Sequence, residues 1–374
     1  MSQRMNVEIR PDRLKKLFRK LVDIYSPSGK EEEIVEFLSR YLKRAGLPVT
    51  LQDVDENRCN ILVIPEKADI QAGFVGHLDT VAAHNLETFG FSEEGEVVSG
   101  LGTADMKGGC AALIEAFTAL WESGCHGLPV ALCLLVGEEE EGDGAEALLT
   151  EFHFPWAVIA EPTSLKPCLS HYGYAEIQLS TAGERMHASM AKMTDNAVEV
   201  MLRLILDISR HIQTERPDLV YNIRDLFSAQ SGFAVPERCD ASIDLHLPPT
   251  APIGEIITEI EELAADHRYN HEGVETQFRV VTIDAGYDLP ERGPLIDALK
   301  TAFAAFSIDW EPEAFRSHSD ANRFWAAGVK PILLGPGDLV KAHSPDECIS
   351  FDEIQKAAGL YAGLLGGDFF DHKC

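Results

Sequence analysis

Two residues apart, His77 and Asp79 close an apolar run that begins at Ile70. In an extended segment, positions i and i+2 point the same way. The imidazole can bind a metal ion while the carboxylate accepts from the other ring nitrogen, which fixes the tautomer and raises the basicity of the ligand. Taken alone, the pair is equally a surface histidine beside a solvated acid. The four carboxylates Glu138, Glu139, Glu140 and Glu141 follow a second apolar run, residues 129–137. A solvated turn tolerates such a cluster, but at the mouth of a buried strand the repulsion calls for a cation. One glutamate can then bind metal while a neighbour stays free as a general base on water.

Three further residues are weak alone. Asp105 sits between Gly102 and Gly108-Gly109 at the start of an expected helix, where an acid can be a simple N-cap. The flanking glycines permit close backbone approach, and a carboxylate can bridge two ions. Glu161 follows the run Val158-Ile159-Ala160, and His343 lies in a loop near the C-terminal end. Together they say more. His77, Glu138 or Glu139, Glu161 and His343 all come after expected strands of one sheet, with Asp105 beside them. This mixture of nitrogen and oxygen donors suits zinc, cobalt or manganese rather than iron–sulfur or all-cysteine sites. Two histidines argue against magnesium and calcium, which prefer all-oxygen shells.

The elements that must carry these residues follow from apolar periodicity. Residues 13–24 and 30–44 have apolar stripes at helical spacing, and Ser28 is placed to cap the second helix with Glu31 as the other half of a capping box. Residues 49–54 and 60–65 read as strands. The runs at 70–76, 129–137, 156–160 and 330–334 each end in polar residues, and helices at 106–122 and 145–151 lie between them. This is the pattern of a mainly parallel sheet covered by helices, an α/β fold that takes ligands at the carboxyl ends of its strands.

The middle of the chain reads differently. Residues 175–181, 220–227, 241–247 and 274–283 are expected strands. Residues 196–208, with Asp195 as cap, and 253–265 are expected helices. The order β-α-β-β-α-β predicts a small ferredoxin-like α+β sheet with its helices on one face. It is inserted at about 174–286 into a domain made of residues 1–173 and 287–374.

Composition narrows the function. The 374 residues exceed one typical domain. A net charge of −29 disfavours binding to nucleic acid or an anionic membrane. None of the eight cysteines forms a Cys-x-x-Cys pair, so a zinc-finger or dense disulfide frame is not expected. The first residues lack the apolar run of a signal peptide, and no stretch of about 18 apolar residues exists, which together point to the cytoplasm. No Gly-x-Gly-x-x-Gly follows the first strand, which sets aside a dinucleotide-dependent oxidoreductase.

The same residues carry a family resemblance. Gly76-His77-Leu78-Asp79-Thr80-Val81, residues 102–109, Glu138-Glu139, Glu161-Pro162-Thr163 and Ala342-His343 resemble the successive metal motifs of the M20 metallopeptidases and deacylases. That family includes acetylornithine deacetylase, succinyl-diaminopimelate desuccinylase and carboxypeptidase G2. The resemblance spans nearly the whole chain. It implies two divalent metal ions per subunit, zinc first, with cobalt or manganese as alternatives. His77 and Glu161 would hold one ion, Glu139 and His343 the other, and Asp105 both. Glu138 would be the general base and Asp79 the support for His77. Gly144, five residues after Glu139, selects this register, whereas Gly142 would select Glu139 and Glu140 instead. Glu161, rather than aspartate, favours the deacetylase, desuccinylase and carboxypeptidase branch.

The resemblance also implies that the inserted domain dimerises. In that domain, residues 183–189 resemble the family segment whose histidine, here His187, reaches the partner subunit's site and stabilises the oxyanion. Two positions depart from the family: Phe233 precedes Ala234-Val235-Pro236 where asparagine is frequent, and His246 stands after Ile243-Asp244-Leu245 where many members have a carboxylate-binding arginine. Arg316, His246 and Asn322 are the candidate substrate-binding residues. The expected activity is a homodimeric hydrolase of amino-acid metabolism that deacylates an N-acylated amino acid. A dipeptidase or carboxypeptidase is the alternative within the same chemistry, and a non-catalytic metal-binding scaffold is the alternative outside it.

Overall fold

Strands Ala72–His77 and Val130–Leu135 are buried along their whole length. Continuous burial requires cover on both faces, which is how a parallel sheet is built. A computed structural model of the chain describes residues 7–65, 69–193, 196–228, 232–271, 273–367 and 369–370. In it, Val130–Leu135, Ala72–His77, Trp156–Ile159 and Lys330–Leu333 are neighbours in that order, and every pairing among them is parallel. Cys59–Val63 and then Val49–Asp53 extend one side antiparallel. Cys168–His171 extends the other, also antiparallel. The four central strands therefore end at one rim, and the sheet is parallel where it matters for the site.

Helix Gly108–Glu122 is buried from Gly108 through Leu120. It packs against helices Pro11–Val22 and Phe351–Leu365 and against the His77 strand. Its one buried acid, Glu115, is met by Arg13, whose Nε and Nη2 donate at 2.7 and 2.8 Å. A buried carboxylate needs such a partner. The expected helix start at Met106 moves to Gly108, and 145–151 becomes Asp143–Glu151.

The chain forms two compact units. One comprises residues 1–170, 289–315 and 319–374; the other comprises 171–288 and 316–318. The second contains strand Gly173–Ala182, helix Ala197–Glu215, strands Val220–Ser228 and Arg238–Leu247, helix Ile253–Asn270 and strand Glu275–Asp284. This is the expected β-α-β-β-α-β order. All pairings are antiparallel, and strand order 2-3-1-4 is the ferredoxin-like arrangement. Ala175, Ile177 and Leu179 alternate with polar residues and pack with Leu204, Ile208 and Ile260 of the helices. Asp195, expected as a cap, lies outside the described residues. Asn196 caps the helix instead, its side chain accepting from Val198 N.

Two local expectations are corrected. Ser28 does not cap helix Glu32–Arg44: the N-cap is Glu31, without a side-chain bond, and the Ser28 hydroxyl donates to Asp79 Oδ2 at 2.6 Å. The ionised carboxylate is the stronger acceptor and draws the hydroxyl away from the helix end. Asp105 does not open a helix either. Its backbone is extended (φ −118°, ψ 97°) within the turn Thr103–Lys107, and regular helix starts at Gly108.

Candidate metal centre

Because the four central strands end together, the residues just past them are neighbours despite their sequence separation. His77 ends its strand; Glu138 and Glu139 follow Val130–Leu135; Glu161 follows Trp156–Ile159; the His343 loop follows Lys330–Leu333. Three donor groups result, each within 4.8 Å internally: His77 with Asp105 and Glu161, His77 with Glu138 and Glu139, and Asp105 with Glu139 and His343. Asp105 divides its two oxygens between the histidines. Oδ1 lies 3.1 Å from His77 Nε2 and Oδ2 lies 3.5 Å from His343 Nε2. Glu139 Oε2 lies 2.9 Å from His343 Nε2, and Glu138 Oε2 lies 3.8 Å from His77 Nε2. Donor atoms on a tetrahedral zinc are about 3.3 Å apart, given bonds of roughly 2.0–2.1 Å. The spacings are close to those edges. Glu140 and Glu141 are exposed and belong to none of these groups.

Second contacts fix the orientation of these ligands. His77 Nδ1 lies 3.1 Å from the backbone oxygen of Asp79 and 3.6 Å from its carboxylate. A carbonyl oxygen only accepts, so Nδ1 carries the proton and Nε2 offers its lone pair toward Asp105 once the ring is neutral. The main-chain oxygen thus makes the shorter contact expected of the carboxylate. The carboxylate turns instead to three convergent donors: Ser28 Oγ, Glu138 N at 3.2 Å and Glu139 N at 3.0 Å. Two glycines let the Glu161 strand end approach its neighbours. A Cβ on Gly109 would lie 2.3 Å from Ala160 O, and one on Gly335 would lie 2.2 Å from the same atom.

The electrostatics suit a cation. Burial pushes the Glu138 and Glu161 carboxyls well above their ordinary range; His77 opposes, and the neighbouring carboxylates add to the rise. Burial also raises Glu139, against its hydrogen bond with His343. Burial would lower His77, yet Glu138, Asp105 and Asp79 outweigh it and hold the imidazolium. Hydrogen bonding with Glu139 holds His343 up at about 9, against burial. Burial works to raise Asp105, but His77 overrides it and lowers the carboxyl. Glu161 Oε1 is buried with no hydrogen-bond partner. A buried, unpartnered carboxylate oxygen on a residue of the donor cluster is what a metal ion would satisfy. The residues present therefore fit a pair of divalent ions.

A pH dependence follows from these shifts. The metal-free pocket holds protons at neutral pH on groups that must lose them to become ligands, so metal uptake releases protons. Affinity is expected to rise as pH rises toward the His343 value of about 9 and to weaken as pH falls. Zinc titration calorimetry in two buffers of different protonation heat should give different apparent heats. Equal heats would mean that the pocket is already deprotonated.

Several positioning residues escape a reading of the sequence. The Glu347 carboxylate accepts from Gly102 N at 2.8 Å, Ala104 N at 2.8 Å and Asp105 N at 3.0 Å, holding the turn that presents Asp105. Burial raises its carboxyl to about 7 despite these bonds. Lys107 is buried, its Nζ donates to Ile24 O at 2.8 Å, and burial lowers it to about 8. Asp320, at the start of helix Asp320–Ala326, is a buried acid raised by burial to about 7 within the field of His77. A polar residue inside an apolar turn or at a helix start was the available signal for Lys107 and Asp320; Glu347, among polar neighbours, offered none.

The remaining candidates are not members of the donor groups. Asn322 is buried and completes a capping box with Ser319, Ser319 N donating to its Oδ1 at 3.2 Å. That contact makes it part of the helix frame. His187, His246 and Arg316 belong to the second unit. His187 is exposed, and its Nδ1 contacts Ser189 Oγ at 2.8 Å. His246 is half-buried beside the Tyr174 ring, and its Nδ1 has no hydrogen-bond partner. Arg316 is exposed.

The chain is 27% identical to acetylornithine deacetylase of Edwardsiella ictaluri, over 89% of this chain and 90% of the relative. It is 28% identical to succinyl-diaminopimelate desuccinylase of Corynebacterium glutamicum, over 93% and 95% respectively. Its fold matches a tripeptidase of Staphylococcus aureus with a TM-score of 0.82 at 17% identity, covering 96% of this chain and 98% of the other. The family model for peptidase family M20/M25/M40 matches residues 73–366. With a family match over that span and the matching two-unit fold, the chain belongs to the M20 family of amide-bond hydrolases.

Proposed function

We propose that the protein is a di-metal hydrolase that removes the acyl group from an N-acylated amino acid, with zinc as the ion. The observation that carries this reading is the divided Asp105 carboxylate, one oxygen toward His77 and the other toward His343. His77 and Glu161 would hold one ion, Glu139 and His343 the other, and Asp105 both. The bound ions would polarise the substrate carbonyl and make water acidic enough to attack at neutral pH. Glu138 takes the proton from the attacking water. Its carboxyl then returns that proton to the departing amine, so a carboxylate and a free amine are released. Asp79 keeps the histidine and the glutamate turn in place. His187 of the partner subunit donates to the developing oxyanion.

Sequence likeness to a deacetylase and a desuccinylase, and the identity of Glu161, support acyl-amino-acid substrates. The likeness to a tripeptidase supports the fold alone, so dipeptides belong in the test as the second reading. Glu138, held beside the donor cluster, argues against a scaffold that only binds metal, which has no use for a base. Among the described residues, no helix is long and apolar enough to cross a membrane. We propose a cytoplasmic location. We also propose a homodimer formed by the second unit. Its edge strand exposes Val220, Ile223, Leu226 and Phe227, the last at 65%. Exposed apolar edges are places where chains pair.

The test is metal analysis followed by an amine-release screen. Protein titrated with zinc should approach two ions per chain by elemental analysis, as two half-sets of ligands around Asp105 require. The loaded protein should release amine from one or more of acetyl-ornithine, acetyl-citrulline, acetyl-lysine and succinyl-diaminopimelate in preference to dipeptides. Saturation at one ion would sink the two-metal reading, and preference for dipeptides would replace the deacylase reading with a peptidase.

A further inference from the structure

We propose that Ser28 is a positioning residue of the metal centre, setting the place of Glu138 and Glu139 through Asp79. The inference rests on the hydrolase reading above. Ser28 lies in the loop between helices Pro11–Val22 and Glu32–Arg44, far in sequence from every residue it organises. The loop runs alongside the end of the His77 strand. Ser26 Oγ donates to Leu78 O at 2.8 Å, Thr80 N to Ser26 O at 3.0 Å and Ser28 N to Thr80 O at 3.2 Å. Lys107 anchors the beginning of the same loop through Ile24 O. The Ser28 backbone is therefore fixed before its side chain acts.

Its hydroxyl donates to Asp79 Oδ2 at 2.6 Å, the length of a bond to an ionised carboxylate. The same oxygen accepts from Glu139 N, and Oδ1 accepts from Glu138 N. Asp79 thus joins the serine on one side to the peptide groups of the base and a metal ligand on the other. Of the three donors within hydrogen-bond distance, the serine is the one outside the glutamate turn; His77 Nδ1 stands off at 3.6 Å. Without it, the carboxylate can rotate, and the two N–H bonds that hold the turn slacken together. Sites of this kind lose function when their groups move by more than about 0.5 Å.

The test compares Ser28→Ala and Ser28→Thr with the parent chain. Zinc affinity is measured on metal-free protein by competition with a chromogenic chelator, and kcat and KM on the substrate found in the screen. Loss of a partner that orients metal ligands costs about 10- to 100-fold in affinity or activity. Ser28→Ala is expected to lose that much in zinc affinity or kcat, with KM and the unfolding midpoint of the metal-free protein near the parent's. Ser28→Thr, which restores a hydroxyl, is expected to recover most of the loss. An alanine variant that binds zinc and turns over like the parent overturns the proposal. So does a loss that follows a lowered unfolding midpoint and is not recovered by threonine, which marks a merely structural contact. A parent chain that takes up no zinc removes the hydrolase reading and this inference with it.

Discussion

Replacing Glu138 by glutamine is expected to lower the turnover number for amide cleavage by at least about 10²- to 10⁴-fold, the usual contribution of a positioned base. Metal content should stay at the parent level. The expectation comes from placement: Glu138 is half-buried beside His77 at 3.8 Å, while Glu139 at 2.9 Å from His343 is the better ligand. Glutamine keeps the size and the backbone bond to Asp79 but cannot take a proton from water. Glu139→Gln should instead weaken binding of one ion, because an amide oxygen is a poorer donor than a carboxylate. Glu140→Gln should behave as the parent, since Glu140 is exposed. The measurements are kcat under saturating zinc and elemental analysis of each variant. If Glu138→Gln kept its activity and Glu139→Gln lost it with metal still bound, the base would be Glu139 and the register would shift by one.

The parts of this site that were legible in the sequence share one cause. A residue that follows a fully apolar run in a parallel sheet has nowhere to go but the carboxyl rim, so His77, Glu138, Glu139, Glu161 and His343 could be grouped before any distance was known. The inserted unit was legible because its strands alternate, as Gly173–Ala182 does between buried and half-exposed positions. What stayed hidden depends on contacts remote in sequence. Glu347 meets Asp105 N across 242 residues, and Lys107 meets Ile24 across 83. A single buried charge carries no periodicity to announce its partner. The signal at Ser28 misleads for a related reason: a serine before a helix is a capping signal, and an ionised carboxylate 51 residues away outcompetes the helix end. Asp105 reads as the start of a helix because the apolar pattern of the following segment runs back to Met106, whereas the glycines on either side let the chain turn first.

Replacing His187 by alanine is expected to lower kcat by roughly 10²- to 10³-fold, about 3 to 4 kcal/mol, the usual cost of losing one oxyanion donor. KM should change less, because a contact to a developing oxyanion strengthens only in the transition state. Metal content and dimerisation should be retained, since His187 is exposed and outside every donor group. The proposed cross-subunit role has its own test. Mixing His187→Ala chains with Glu138→Gln chains and allowing exchange produces heterodimers. If each His187 serves the partner's site, both lesions fall in one site of the heterodimer. The other site combines an intact Glu138 with an intact His187 from its partner. Two nearly inactive proteins should therefore regain activity on mixing, up to about half of the parent's sites in each heterodimer. If His187 serves its own chain, each heterodimer site carries one lesion and no activity returns. Differently tagged chains, co-purified after mixing, establish that exchange took place. Exchange without recovery rejects the shared site, and an unchanged kcat in His187→Ala rejects the oxyanion role.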